Sequence, residues 1–248
     1  MAEFEIVDEI FEDAAEGFED ASEEAEEMSE EIQEEIAEAR ANVEELSQAR
    51  SEFEILSKTV EALKSFGVFV VKNIAIGAIL FGVNVGLSKL INIGKDQGQK
   101  ESNRRKLAVV KAITDLIKTE TDICKKVTDW LKEHKDDTIE LEDITVPLES
   151  IFHTYLGPIS DAVDQAFKAA QPLQTKINSK VSWEVPTAED VGHLFKASEA
   201  FLTAFDNFRK FCVEHSSKFP VLKTLPLTQD DIDNIKSQLD AVKNMPFY

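Results

Sequence analysis

Apolar residues recur along the first quarter of the chain in alternating steps of three and four. The series runs from Phe4 to Leu63, and only two of its 18 positions are polar. This is the heptad spacing of a helix that packs lengthwise against partner helices. No proline occurs before Pro147, so no residue of that type breaks a long helix in this part of the chain. Residues 1–64 are therefore predicted to form one long acidic amphipathic helix.

The pattern changes in residues 65–94, which we call the hydrophobic segment. From Phe66 to Leu87 apolar residues occur all round a helix, and Lys72 is the sole charge. A helix of 22 residues spans roughly 33 Å, about the thickness of a hydrocarbon core. Gly82 and Gly86 have the GxxxG spacing that lets two helix backbones approach closely in lipid. We expect this segment to insert into membranes conditionally, as a helix or hairpin. The predicted membrane-inserting residues are Phe66, Phe69, Val70, Ile74, Ile76, Gly77, Ile79, Leu80, Phe81, Gly82, Val83, Gly86 and Leu87.

Basic residues follow the hydrophobic segment and suit a lipid surface. The predicted headgroup contacts are Lys89, Lys95, Arg104, Arg105 and Lys106. The stretch from Gly94 to Asn103 is polar, contains two glycines, and is predicted to form a turn.

Residues 95–248 show shorter amphipathic patterns and are predicted to form a helical bundle. Thr187 with Asp190, and Thr228 with Asp231, have the spacing of capping boxes that begin helices. Helices are predicted at Leu107 to Leu131, Leu148 to Leu156, Ile159 to Ser179 and after each capping box, with an extended stretch from Ile139 to Val146 and a connector from Val181 to Pro186. The predicted fold class is all-α, an elongated helical bundle with a long N-terminal heptad helix and a central hydrophobic helix or hairpin.

The charge is distributed very unevenly. Residues 1–64 contain 23 acidic and 4 basic side chains, which accounts for −19 of the formal charge of −21. A phosphate backbone would be repelled by such a surface, so nucleic acid is not an expected partner. The start of the sequence lacks the basic region of a conventional secretory signal. We expect a soluble form that acts at a membrane, either within the cell or after non-classical secretion.

Residues with catalytic or metal-binding chemistry form no recognisable pattern. Hydrolase, phosphate-binding and zinc-binding sequence patterns are missing, and the four histidines (His134, His153, His193 and His215) are dispersed. Cys124 and Cys212 are predicted to be buried free thiols, with a disulfide between them as the alternative. The phenylalanines between Phe195 and Phe219 are interpreted as core residues. We therefore expect no enzymatic activity, no cofactor and no metal site.

The order of these segments resembles the α-helical pore-forming cytolysins of the cytolysin A type. The resemblance covers about the first 135 residues: long helices at Phe4 to Leu63 and Leu107 to Leu131 enclose an apolar element at Phe66 to Ile93. It implies a soluble monomer that releases this element to the bilayer while its amphipathic helices assemble into a ring. The implied partners are membrane lipid and further copies of the chain.

Two other functions fit the same pattern. The long helix could form an oligomeric coiled coil in a structural scaffold, with the hydrophobic segment inside the assembly. Alternatively, the protein could be a single-span viral or cellular membrane protein, with the basic cluster on the cytoplasmic side. Because crowded glutamates repel each other until they bind protons or cations, mild acid or divalent metal is expected to promote assembly of the N-terminal helices.

Overall fold

A computed structural model describes residues 41, 48, 70–80, 82–83, 97–141, 144–177 and 187–246. Helix dominates these residues, which confirms the all-α prediction. The helices with defined bounds are α1 (Gln97–Glu133), α2 (Leu148–Ile177), α3 (Ala188–His215) and α4 (Gln229–Lys243), and a short 3-10 helix lies at Pro220–Thr224. Residues 70–80, 82 and 83 are also helical, and we call them the core helix.

Helix α1 begins earlier than the sequence pattern indicated. The predicted turn from Gly94 to Asn103 is wrong in its second part, because the chain is helical from Gln97 onward. Gly98 costs about 1 kcal/mol relative to alanine in a helix, but the residues around it are mostly good helix formers. The salt bridge between Arg105 and Glu101, one turn apart, adds to the helical preference.

Helix α2 is continuous through a region that was predicted to contain two helices. Pro158 lies inside it, as does Pro172. A proline within a helix removes one backbone hydrogen bond and usually kinks or ends the helix. Helix α2 packs on α3, and such tertiary packing of an amphipathic face supplies most of the stability of a helix in a folded protein.

The predicted extended stretch between α1 and α2 is confirmed, and it folds back on itself. Strand β1 (Thr138–Leu141) pairs antiparallel with β2 (Ile144–Pro147), with Leu141 opposite Ile144. Ile139 is buried against the helices, whereas Ile144 is exposed. This hairpin therefore forms most of the connection between α1 and α2.

Both predicted capping boxes are confirmed. The hydroxyl of Thr187 accepts from the backbone N–H of Asp190 at 3.2 Å, and the Asp190 carboxylate accepts from the Thr187 backbone N–H at 2.8 Å. Thr228 and Asp231 repeat the arrangement at the start of α4, with 3.1 Å and 2.9 Å. Each box satisfies backbone donors that a helix start leaves without partners.

Aromatic side chains fill the interface between α2 and α3. Phe152 meets Phe205 and Phe208 edge to face, and Phe201 stacks on Phe205 with ring centroids 4.3 Å apart. Phe201, Phe205 and Phe208 are fully buried, which confirms the interpretation of this run as core. Cys124 and Cys212 are buried free thiols, as predicted. Helix α4 packs on α1 and α3 and completes the described bundle.

Two earlier predictions lie outside the described residues. The acidic helix at 1–64 is described only at positions 41 and 48, both helical. The connector from Val181 to Pro186 is not among the described residues either.

Candidate membrane-active helix and its polar contacts

The core helix is apolar on every side and almost completely enclosed. Between positions 70 and 80 every side chain except Lys72 is buried, and Ile74, Ala78 and Leu80 have 0% exposure. A helix that is hydrophobic all round requires an apolar environment on all of its faces. In this structure the bundle supplies that environment.

Eight of the thirteen predicted membrane-inserting residues belong to the core helix, and all eight are buried: Val70, Ile74, Ile76, Gly77, Ile79, Leu80, Gly82 and Val83. The other five lie outside the described residues: Phe66, Phe69, Phe81, Gly86 and Leu87. The structure therefore brings the described part of this set together on one helix.

Lys72 provides the only charge of the core helix, and α2 neutralises it. Its Nζ lies 2.9 Å from Oδ1 of Asp164. The lysine side chain is 13% exposed and the aspartate 42% exposed, so the pair lies at the edge of the core rather than at its centre. A salt bridge in this position contributes more to stability than a fully exposed one, because water screens its charges less.

Asn73, the next residue, connects the core helix to α1. Its amide Nδ2 donates to Oε2 of Glu120 at 3.2 Å, and both residues are buried, with exposures of 4% and 2%. The second carboxyl oxygen of Glu120, Oε1, has no hydrogen-bond partner among the described residues. Ser198 of α3 also interacts with this carboxyl. Glu120 therefore lies where the core helix, α1 and α3 meet.

Burial changes the acidity of this site. Loss of water raises the pKa of Glu120 from its ordinary value of 4.5 to about 7, although Ser198 and Asn73 partly oppose the rise. Cys124, one turn further along α1, also has a raised pKa, because its thiol is buried and lies near the Glu120 charge. Near neutral pH the Glu120 carboxyl is therefore divided between its neutral and ionised forms.

Sequence reasoning did not select Glu120, although a signal for it exists. The buried face of α1 follows helical spacing through Ile113, Ile117, Cys124 and Val127. Glu120 occupies the position between Ile117 and Cys124 in that series. A glutamate in an apolar stripe indicates either a break in the stripe or a buried carboxyl.

Three of the predicted headgroup contacts lie in the first turns of α1. Arg104 and Arg105 are exposed, and Lys106 is half-buried. Arg105 also forms a salt bridge with Glu101, with Nε and Oε1 separated by 3.1 Å. Lys89 and Lys95 lie outside the described residues. The described part of the basic cluster thus presents two exposed arginine side chains, one of which is paired with Glu101.

A group of polar side chains at the end of α1 has the residue types of a catalytic triad. Nδ1 of His134 lies 2.7 Å from Oδ2 of Asp137, and its Nε2 lies 3.4 Å from Oγ1 of Thr224. However, the Thr224 hydroxyl donates to the carbonyl of Val221 and accepts from Trp130 Nε1. The hydroxyl proton is directed away from the histidine, so we interpret the group as a structural connection between α1 and the 3-10 helix.

Neither a metal site nor a membrane span is evident within the described part of the chain. No cluster of three or more His, Cys, Asp or Glu side chains there is arranged to hold a metal ion. Among the same residues, no helix combines the length and the apolar character needed to cross a membrane. Comparisons with known protein families, curated proteins and solved structures give no match.

Proposed function

We propose that this protein is a conditional membrane-inserting, pore-forming helical protein that assembles into homo-oligomers. The observation that supports this most directly is the chemistry of the core helix. Of the eleven residues at positions 70–80, only Lys72 and Asn73 are polar; Lys72 contacts Asp164 of α2, and Asn73 contacts Glu120 of α1. These polar contacts would have to break for the core helix to exchange its protein neighbours for lipid.

The energy balance suits a segment that changes environment. Ile, Leu and Val side chains each contribute about −0.3 to −0.6 kcal/mol at the centre of a membrane helix, and a lysine there costs roughly 3 kcal/mol. The described core helix contains seven Ile, Leu and Val side chains against the single Lys72, so the favourable and unfavourable contributions nearly cancel.

The exposed arginines at the start of α1 favour an anionic membrane. Arg104 and Arg105 follow the hydrophobic segment in a protein whose formal charge is −21. A local basic group near an apolar segment is the arrangement expected for contact with acidic headgroups.

A second candidate is a structural scaffold, and one observation favours it. The core helix is buried at every described position except Lys72, and its apolar side chains have exposures of 0–3%. A permanent core helix in an oligomeric coiled-coil protein would have the same burial. In that case the hydrophobic segment would never leave the protein.

Vesicle experiments distinguish these functions. We would incubate the full chain with dye-loaded vesicles of neutral lipid and of mixed neutral and anionic lipid, at pH 5.5 and 7.5, and then float the vesicles. Pore formation predicts that the protein both floats with the vesicles and releases the dye. A single-span protein would bind without release, and a scaffold would do neither. Absence of release under all four conditions would contradict the proposed pore.

Replacement of Ile79 by aspartate is not a suitable control, although it introduces a charge into the predicted inserting element. Ile79 is 1% exposed, so an aspartate there would place an unpaired charge in the core. Such a change destabilises the soluble fold itself. Loss of leakage in that variant would not distinguish failed insertion from failed folding.

A further inference from the structure

Glu120 is the most unusual ionisable group in the described residues, because it lies at the centre of the bundle without a cation. Its side chain has 2% exposure, and one amide donor, Asn73, contacts one of its two oxygens. Oε1 has no partner among the described residues. An ionised carboxylate in such a place is costly, whereas a neutral carboxylic acid is tolerated much better.

The charged groups near this site do not compensate for a negative charge on Glu120. On the core helix, Lys72 pairs with Asp164 of α2. On α3, Glu199 is exposed and pairs with a lysine of α4. On α1, the thiol of Cys124 is the neighbouring titratable group. The pKa of Glu120 is set by burial, Ser198 and Asn73, and no charged residue is among its causes.

We propose that Glu120 is a proton-controlled lock on the core helix. With its proton bound, the carboxyl remains between Asn73 and Ser198, and the core helix stays within the bundle. Loss of the proton places a charge at the junction of the core helix, α1 and α3, and it favours a state in which the core helix separates from α1. The proton itself is the ligand of this buried site.

The direction of the pH effect follows from the two pKa values. In the closed bundle the pKa of Glu120 is raised to about 7 from 4.5, so the closed state binds the proton more tightly than an open state does. The bound proton therefore stabilises the closed state fully below pH 4.5, and this stabilisation is lost as the pH rises through about 7. Between pH 5 and 7.5 the opening equilibrium should increase roughly 50-fold. Acid therefore favours the closed bundle, with the core helix inside it.

This inference rests on the proposed function only for the fate of the opened helix. The lock itself can be measured without lipid. If the separation of the core helix from α1 depends on Glu120 but vesicles never leak, the result contradicts the membrane function and supports the lock. If vesicles leak but opening does not depend on Glu120, the proposed function stands and the lock fails.

Hydrogen exchange of the full chain tests the lock directly. We would measure protection of peptides covering residues 70–80 at pH 5.0 and 7.5, corrected for intrinsic exchange, in the wild type, Glu120→Gln and Glu133→Gln. Glu133 is an exposed glutamate at the end of the same helix and serves as the matched control. In the wild type and in Glu133→Gln, the protection factors of these peptides should be roughly 50-fold lower at pH 7.5 than at pH 5.0. In Glu120→Gln they should fall by no more than about twofold. Equal pH dependence in all three proteins would overturn the lock.

A second measurement does not depend on the stability of a variant. Carbon NMR of the wild-type side-chain carboxyls, followed from pH 3 to 9, reports the titration of Glu120 itself. The lock predicts a midpoint near 7, and a midpoint near the ordinary value of 4.5 contradicts it.

Discussion

The amine of Lys72 lies 2.9 Å from Oδ1 of Asp164, and this salt bridge ties the core helix to α2. The contact is separate from the Asn73–Glu120 hydrogen bond, which ties the same helix to α1. Adjacent residues on the core helix thus hold it to two different helices. Release of the core helix into lipid would require both contacts to break.

Replacing Asp164 by asparagine should weaken the attachment of the core helix to α2. Lys72, whose side chain is only 13% exposed, would keep a polar neighbour but lose the negative charge of Asp164. We expect the free energy of unfolding to fall by about 1 kcal/mol, after allowance for the partial exposure of Asp164. Urea denaturation followed by circular dichroism measures the change. If the proposed function is correct, this variant should also release vesicle contents faster than the wild type.

The matched control for that variant is Asp161→Asn. Asp161 lies on the same helix, one turn earlier, and is exposed. Its loss should change the free energy of unfolding by less than about 0.5 kcal/mol. Equal destabilisation by the two substitutions would show that the Lys72 contact has no special role.

The capping box at the start of α4 predicts a loss of stability in acid. Burial raises the pKa of Asp231, but hydrogen bonds from Thr228 and Lys126, together with the charge of Lys126, outweigh burial and lower it below 3.8. The folded state holds this carboxylate ionised. The carboxylate therefore stabilises the folded state fully above pH 3.8, and this stabilisation is lost as the pH falls through the lowered pKa. Thr228→Ala should therefore cost about 1 kcal/mol at pH 7 and less in strong acid.

Denaturation of Thr228→Ala at pH 7 and at steps down to pH 2 tests this prediction, with Thr203→Ala as the control. Thr203 is exposed on α3, and its hydroxyl donates to a backbone carbonyl rather than capping a helix. A cost at Thr228 that is as large in acid as at neutral pH would be inconsistent with ionised Asp231 as the second half of the box.

The exposed arginines of α1 predict a dependence on anionic lipid. Each basic residue near such a surface contributes about 1 kcal/mol, so Arg104→Gln/Arg105→Gln should bind anionic vesicles roughly 30-fold more weakly at low salt. Lys223→Gln/Lys236→Gln removes the same charge at exposed positions beyond α3 and should have a much smaller effect. Flotation at several salt concentrations measures both. Equal losses would attribute binding to total charge instead of this group.

Local sequence signals were sufficient for several features of the fold. The boxes at Thr187 and Thr228 were predictable because a capping box depends only on residues within one helical turn. The burial of Phe201, Phe205 and Phe208 followed from helical spacing of large apolar side chains. The all-α fold class followed from the same periodicity.

Features that depend on tertiary contacts were not predictable in this way. Pro158 indicated a helix boundary, yet α2 continues through it, and the continuous helix packs on α3. The contact between Asn73 and Glu120 joins residues 47 positions apart. The apolar stripe of α1 marks Glu120 as a candidate buried carboxyl, but it does not identify Asn73 as its partner. Spacing within one helix gives no information about which polar side chains meet across helices.

Two pH effects of opposite sign are expected in this protein. Protonation of the crowded glutamates in residues 1–64 should favour assembly in acid, whereas protonation of Glu120 should hold the core helix in the bundle. Assembly and helix release would then have different pH optima. Oligomeric mass and hydrogen exchange, measured over the same pH range, separate the two effects.

The central claim is that residues 70–80 exchange the interior of the bundle for the interior of a membrane. Photoreactive groups placed on lipid tails, followed by peptide mapping of the labelled protein, test this most directly. We expect labelling of residues 70–80 in leaking vesicles and little labelling of Phe201, Phe205 and Phe208, which are comparably buried in the bundle. Leakage without any labelling of residues 70–80 would contradict the claim.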